Sequence, residues 1–242
     1  RSSCFIGVDI HTDEARASFW KEMKEVFASY GAIYSCHELK QQYLYQVRKQ
    51  EDRRKEEGHE IEIDLKDVFE VLLEDKGVVS ENKVIEEIAW RFRQASTSHL
   101  RLYKGTIPLM QGLHQRGKKV FLLSNAQHLF TMKELEILQI YDLFDEIFLS
   151  SDYGYKKPDP VFFQFLLSKY ALKGKDCLMI GNDLFCDIYG AYLAGMDSYY
   201  IHSALSSETD IETFPTYQQM KKAQEYYQVL HVFLKLRSMQ KW

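Results

Sequence analysis

Short apolar runs alternate with stretches of helical period along much of the chain. Cys4-Phe-Ile-Gly-Val8, Lys119-Val-Phe-Leu-Leu123 and Cys177-Leu-Met-Ile180 are rich in branched or aromatic residues, and they stop at Asp9, Ser124 and Gly181. Near-continuous hydrophobicity over so few residues is what a strand covered on both faces requires. Glu146-Ile-Phe-Leu149 and Ser198-Tyr-Tyr-Ile201 are two further strand candidates. Between these runs the apolar spacing becomes helical. Ile107, Met110, Gln111 and His114 predict a helix that ends at Gly117, Val161, Phe165 and Leu166 a second that begins after Pro160, and Asp187, Ala191 and Ala194 a third closed by Gly195. Glycine just past a helix end and proline near its start are the expected punctuation. The alternation from Gly105 to Tyr200 predicts βαβ units, hence an α/β fold with a doubly wound parallel sheet.

From Glu14 to about Arg101 helical spacing dominates, as in Phe19, Met23, Val26 and Phe27, and again in Ile85, Ile88, Ala89 and Phe92. This stretch falls between the first strand and the next strand–helix unit. The expected organisation is therefore an α/β core of residues 1–13 and 102–242, with an α-helical insertion, 14–101, over the strand ends. The charged run Lys49 to Glu57 reads as a solvated helix face or loop, with a charged lid as the functional alternative. Met220, Ala223, Tyr227, Leu230 and Leu234 predict an amphipathic helix that packs back on the sheet or the insertion, with a partner interface as the alternative.

Composition narrows the function classes. Hydrophobic residues at 45% and charged residues at 27% describe a folded globular chain, not a disordered one. The 31 Lys and Arg against 35 Asp and Glu leave a net charge of -4, which argues against a general nucleic-acid binder. No apolar run approaches the roughly 18 residues of a membrane span. The opening Arg1 to Val8 is too short and polar for a signal peptide. Cys4, Cys36, Cys177 and Cys186 have no CxxC spacing, so they read as reduced thiols of a cytoplasmic protein. His114 and His128 fall on predicted helices and read as structural, and the pairs Tyr199-Tyr200 and Tyr226-Tyr227 read as packing. Oligomeric state is not legible.

In an open parallel sheet, ligands bind beyond the carboxyl ends of the strands. The polar residues that follow each predicted strand are Asp9, Ser124-Asn125 and Gly181-Asn182-Asp183 with Asp187, while Lys157 comes a short loop after Leu149. Taken singly they have ordinary roles: a cap for Ser124, a surface lysine for Lys157, helix-dipole partners for Asp183 and Asp187. Taken in order along one α/β pattern, they put three carboxylates, a hydroxyl and an ammonium on one rim. Carboxylates crowded together need a cation, and a hard metal such as Mg²⁺ suits them. The metal and Lys157 would attract a phosphoryl group whose oxygens Ser124 could bond.

Leu122-Leu-Ser124-Asn125, Lys156-Lys157-Pro158-Asp159-Pro160 and Ile180-Gly-Asn-Asp183-Leu-Phe-Cys-Asp187 resemble motifs II, III and IV of the haloacid dehalogenase (HAD) superfamily. The resemblance implies a HAD/Rossmann-like core with 14–101 as its α-helical cap, and a phosphatase acting on a small phosphorylated metabolite. It implies Asp9 as nucleophile and Mg²⁺ ligand, Ser124 and Asn125 on the phosphoryl group, and Lys157 bridging nucleophile and phosphate. Asp183 and Asp187 would serve the Mg²⁺ site. Motif I departs from the family pattern: Val8-Asp9-Ile10-His11-Thr12-Asp13 has His11 in place of the second aspartate and lacks the usual glycine. His11 is thus either the general acid/base or a loop residue. The departure keeps two alternatives open, a dehalogenase-like hydrolase attacking carbon and a catalytically impaired binding protein.

Overall fold

The computed structural model describes residues 8–16, 18–54 and 59–201. The first predicted strand before Val8, part of the charged run, and the amphipathic segment carrying Met220 to Leu234 lie outside the described residues. Strand β1 (Val8–Thr12) leads to helices α1 (Phe19–Ser29), α2 (Cys36–Arg54), α3 (Leu65–Glu74) and α4 (Asn82–Ser96), then strand β2 (Thr97–Leu102). Helix α5 (Thr106–Gln115), strand β3 (Phe121–Ser124), helix α6 (His128–Ile137), strand β4 (Glu146–Leu149), the short α7 (Ser150–Tyr153) and α8 (Pro160–Lys169) follow. Strand β5 (Leu178–Gly181), a π-helical turn over Leu184–Tyr189, the short α9 (Gly190–Leu193) and strand β6 (Asp197–Tyr200) complete the order.

Two parallel pairs carry the α/β character. Phe121 to Ser124 run beside Glu146 to Leu149, joined through α6, and Leu178 to Gly181 run beside Asp197 to Tyr200. Two local expectations need correcting. The first strand does not stop before Asp9: Val8, Ile10 and Thr12 alternate with polar residues, a period-two pattern that carries β1 through to Thr12. The insertion is not helical to Arg101, because Thr97-Ser-His-Leu-Arg-Leu102 also alternates and forms β2. These two strands pair antiparallel, with Val8 opposite Leu102 and Ile10 opposite Leu100.

The chain divides into two compact units, Arg1–Lys156 and Lys157–Trp242. In the first, the four helices of the insertion share one apolar core. Asp64 caps α3 by accepting the Lys66 N–H at 2.8 Å, and Leu65, Val68, Phe69, Leu72 and Leu73 bury one face at spacings of three and four residues. Phe92 of α4 lies at the centre. Its ring meets Phe19 edge-on at 4.9 Å, reaches Phe69 and Tyr43 at 5.2 Å, and stacks with Phe130 of α6 at 6.3 Å. A separate cluster of Val8, Leu122, Ala126, Leu135, Ile140 and Leu149 lies between the strands and α6. A buried ion pair, Arg93 on α4 with Glu134 on α6, ties the insertion to the α/β part. In the second unit Phe162, Phe163, Leu166, Leu167, Leu184, Ile188 and Ala191 are buried.

Candidate functional site

In the second unit, Lys157, Asp183 and Asp187 come together. The carboxyl end of β5 is Gly181, and the chain turns there into the π-helical segment. Asp183 caps that turn, its Oδ1 accepting the Phe185 and Cys186 amides at 2.9 and 2.7 Å. Its side chain nevertheless stays exposed. One helical turn on, Asp187 is buried, with its Oδ1 2.6 Å from the equally buried Lys157 ammonium and its Oδ2 accepting the Asp183 amide at 3.1 Å. Both oxygens of Asp187 are thus held within the protein. Its carboxylate presses on Gly181, where an added Cβ would fall 2.1 Å from Oδ2. Only glycine permits that approach. Asp159 fixes the segment after Lys157 by capping α8 through the Val161 amide at 2.9 Å. Burial, followed by the charge of Asp183, pushes the Cys186 thiol up to about 12, so this cysteine is a neutral packing group.

In the first unit, Ser124 ends β3 and is buried, with Asn125 next in the chain. Sequence reasoning missed the residues that hold this loop. The Ala126 amide donates to Ser150 Oγ at 2.8 Å, and the His128 amide to Ser151 Oγ at 2.9 Å. Ser150 Oγ in turn donates to Glu62 Oε2 of the insertion at 2.7 Å. The Gln127 side chain accepts from the Leu65 amide at 2.9 Å and donates to the Ile63 carbonyl at 2.8 Å. Two serines directly after a strand were the one available signal; nothing local pointed to Glu62 or Gln127. His128 Nδ1 sits 3.0 Å from the Asp152 carboxylate on the exposed surface. Asp9 and His11 lie within β1, with backbones opposite Arg101 and His99.

The description "haloacid dehalogenase-like hydrolase" matches residues 8–195, more than three quarters of the chain. The chain belongs to this family. The proteins to which it is similar include a glyceraldehyde 3-phosphate phosphatase of Methanopyrus kandleri, 22% identical over 79% of this chain and 69% of that protein. A phosphoglycolate phosphatase of Aliivibrio fischeri is 34% identical over 40% of this chain and 43% of its own length. A solved 2-haloacid dehalogenase of Pseudomonas syringae pv. Tomato shares the fold, with TM-score 0.53 and 17% identity over 83% of this chain and 86% of that one. The chain is thus similar to named phosphatases and to a named dehalogenase alike, and the reaction has to be argued from the residues. No helix among the described residues is long and apolar enough to cross a membrane.

Proposed function

We propose that this HAD hydrolase is a Mg²⁺-dependent phosphomonoesterase acting on a small phosphorylated metabolite, with residues 14–101 as its cap. The observation that carries this reading is the buried Lys157–Asp187 pair beside the exposed carboxylate of Asp183. A buried ammonium next to a solvent-facing carboxylate suits a doubly charged phosphoryl group and a hard cation better than it suits a neutral carbon centre.

In this reading Asp9 attacks phosphorus, the P–O bond to the substrate's alcohol oxygen breaks as that oxygen takes up a proton, and water then splits the aspartyl-phosphate to release phosphate and restore Asp9. Lys157 offsets the repulsion between the attacking carboxylate and the phosphoryl oxygens. Ser124 donates to one of those oxygens, and Asn125 shapes the loop that presents it. His11 stands where the family places its general acid/base, and an imidazole can carry that proton near neutral pH. The donor set fits Mg²⁺ through Asp183, whose exposed carboxylate offers hard oxygen, with Asp9 as its expected companion. Asp187, engaged by Lys157 and the Asp183 amide, orients this pair. When bound, the metal would neutralise charge on the phosphoryl oxygens. Among the described residues there is no cluster of three His, Cys, Asp or Glu placed to bind an ion.

Phosphate release from a panel of sugar, nucleotide and carboxylic-acid phosphates, with and without a chelator, tests this reading. Release that disappears on chelation and returns with Mg²⁺ is the expected result. A second reading, attack on carbon as in a dehalogenase, is favoured by His11 in place of the second motif I aspartate. Halide release that survives the chelator, with no phosphate release, would select it.

A further inference from the structure

We propose that Glu62, acting through Ser150, and Gln127 are positioning residues for the Ser124–Asn125 loop, so that the insertion presets the loop that would receive phosphoryl oxygens. This inference rests on the phosphatase reading of that loop.

The segment after the charged run lies along the loop that follows β4. The Glu62 amide donates to the Gly154 carbonyl at 3.0 Å, the Lys156 amide to the Glu60 carbonyl at 2.8 Å, and Ile61 bridges Tyr155 in antiparallel register. His59 meets the Tyr155 ring edge-on at 5.5 Å. The segment is thereby docked by backbone bonds before any side chain acts. Glu62 is then oriented at both oxygens: Oε1 accepts its neighbour's amide, Ile63 N, at 3.1 Å, and Oε2 accepts the Ser150 hydroxyl at 2.7 Å.

Ser150 has one hydroxyl proton and two acceptors in reach, Glu62 Oε2 at 2.7 Å and the Ala126 carbonyl at 3.3 Å. The shorter bond, to a carboxylate, is the stronger. Giving its proton to Glu62 leaves the Ser150 lone pairs turned toward the Ala126 amide and polarises the oxygen that accepts it. That amide immediately follows Asn125. Gln127 adds a second tie two residues past Asn125. Its amide group engages the Ile63 carbonyl and the Leu65 N–H, and Leu65 opens α3, where the first N–H groups have no partner inside the helix. Two groups of the insertion, the Ile63 carbonyl and the Leu65 N–H, thus end on the loop between β3 and α6, and a third, the Glu62 carboxylate, reaches it through Ser150. Loss of the insertion's hold would send the Ser150 proton to the Ala126 carbonyl and relax the loop.

The test uses the full chain with Mg²⁺ and inorganic phosphate as probe. Glu62→Ala should weaken phosphate binding about tenfold, the effect of one lost charge-assisted hydrogen bond. Glu62→Gln, whose amide oxygen can still accept from Ser150, should stay within about threefold. Hydrogen exchange at the Ala126 amide should quicken in Glu62→Ala and stay near wild type in Glu62→Gln. Wild-type phosphate affinity or unchanged Ala126 exchange in Glu62→Ala would overturn the inference and leave the phosphatase reading standing. A wild-type chain that binds no phosphate would count against that reading instead, and Ala126 exchange alone would then decide the positioning. If Glu62→Ala does not fold, Gln127→Ala serves the same comparison.

Discussion

Gly181 and Asp187 illustrate how much of the proposed chemistry depends on single atoms. The Asp187 carboxylate occupies the space that a side chain at 181 would need, and it holds the Lys157 ammonium from that position. Gly181→Ala should displace the carboxylate and lower kcat about a hundredfold, the scale of a 1 Å misplacement in a catalytic group, with circular dichroism unchanged. Wild-type turnover in that variant would show that the Lys157–Asp187 geometry is not needed. Glu14, between β1 and α1, makes a different prediction. Burial raises its carboxyl above the ordinary 4.5, and the Arg93 charge opposes that rise. The folded state holds this proton more tightly than the unfolded one, so the contribution is present below 4.5 and is lost as pH climbs through the raised value. Glu14→Gln should therefore raise the urea midpoint relative to wild type at pH about 8 and change it much less at pH about 4. An equal change at both would contradict a raised carboxyl.

At the scale of elements, the contact between α4 and α6 ties the insertion to the α/β part through a buried ion pair. Arg93 and Glu134 are paired and buried, but among the described residues Glu134 Oε2 has no hydrogen-bond partner. Removing one partner strands the other charge, so Arg93→Leu or Glu134→Leu alone should cost about 3–5 kcal/mol of unfolding free energy. The double variant should recover most of that loss, and denaturant unfolding of all four chains measures it. A double variant as unstable as the sum of the singles would mean that the two side chains act independently and that neither single change strands a charge. The helices meeting here were legible in the sequence: Phe19, Met23, Phe27, Ile85, Ile88, Ala89 and Phe92 repeat at helical spacing, and all are buried. Strand β2 was not, because Thr97 follows Ser96 with no glycine or proline between, and its alternation is hidden behind the helical run. The order Ser124, Lys157, Asp183, Asp187 was legible because each stands at or shortly after a strand end. The Glu62–Ser150 bond was not, since 88 residues separate its partners and neither belongs to a recurring motif.

For the whole molecule, a net charge of -4 gives no general attraction for phosphates. Any affinity for a phosphorylated substrate must be local, and the buried Lys157 ammonium is the described group best suited to supply it. The proposed reaction rests on Asp9 as its nucleophile. The measurement that tests it most directly is phosphate release in Mg²⁺ by the wild-type chain and by Asp9→Asn. Steady release by the wild type, lost in the variant while its fold is kept, is the expected result. Release at the wild-type rate by Asp9→Asn, or none by the wild type across the phosphomonoester panel, would contradict the account.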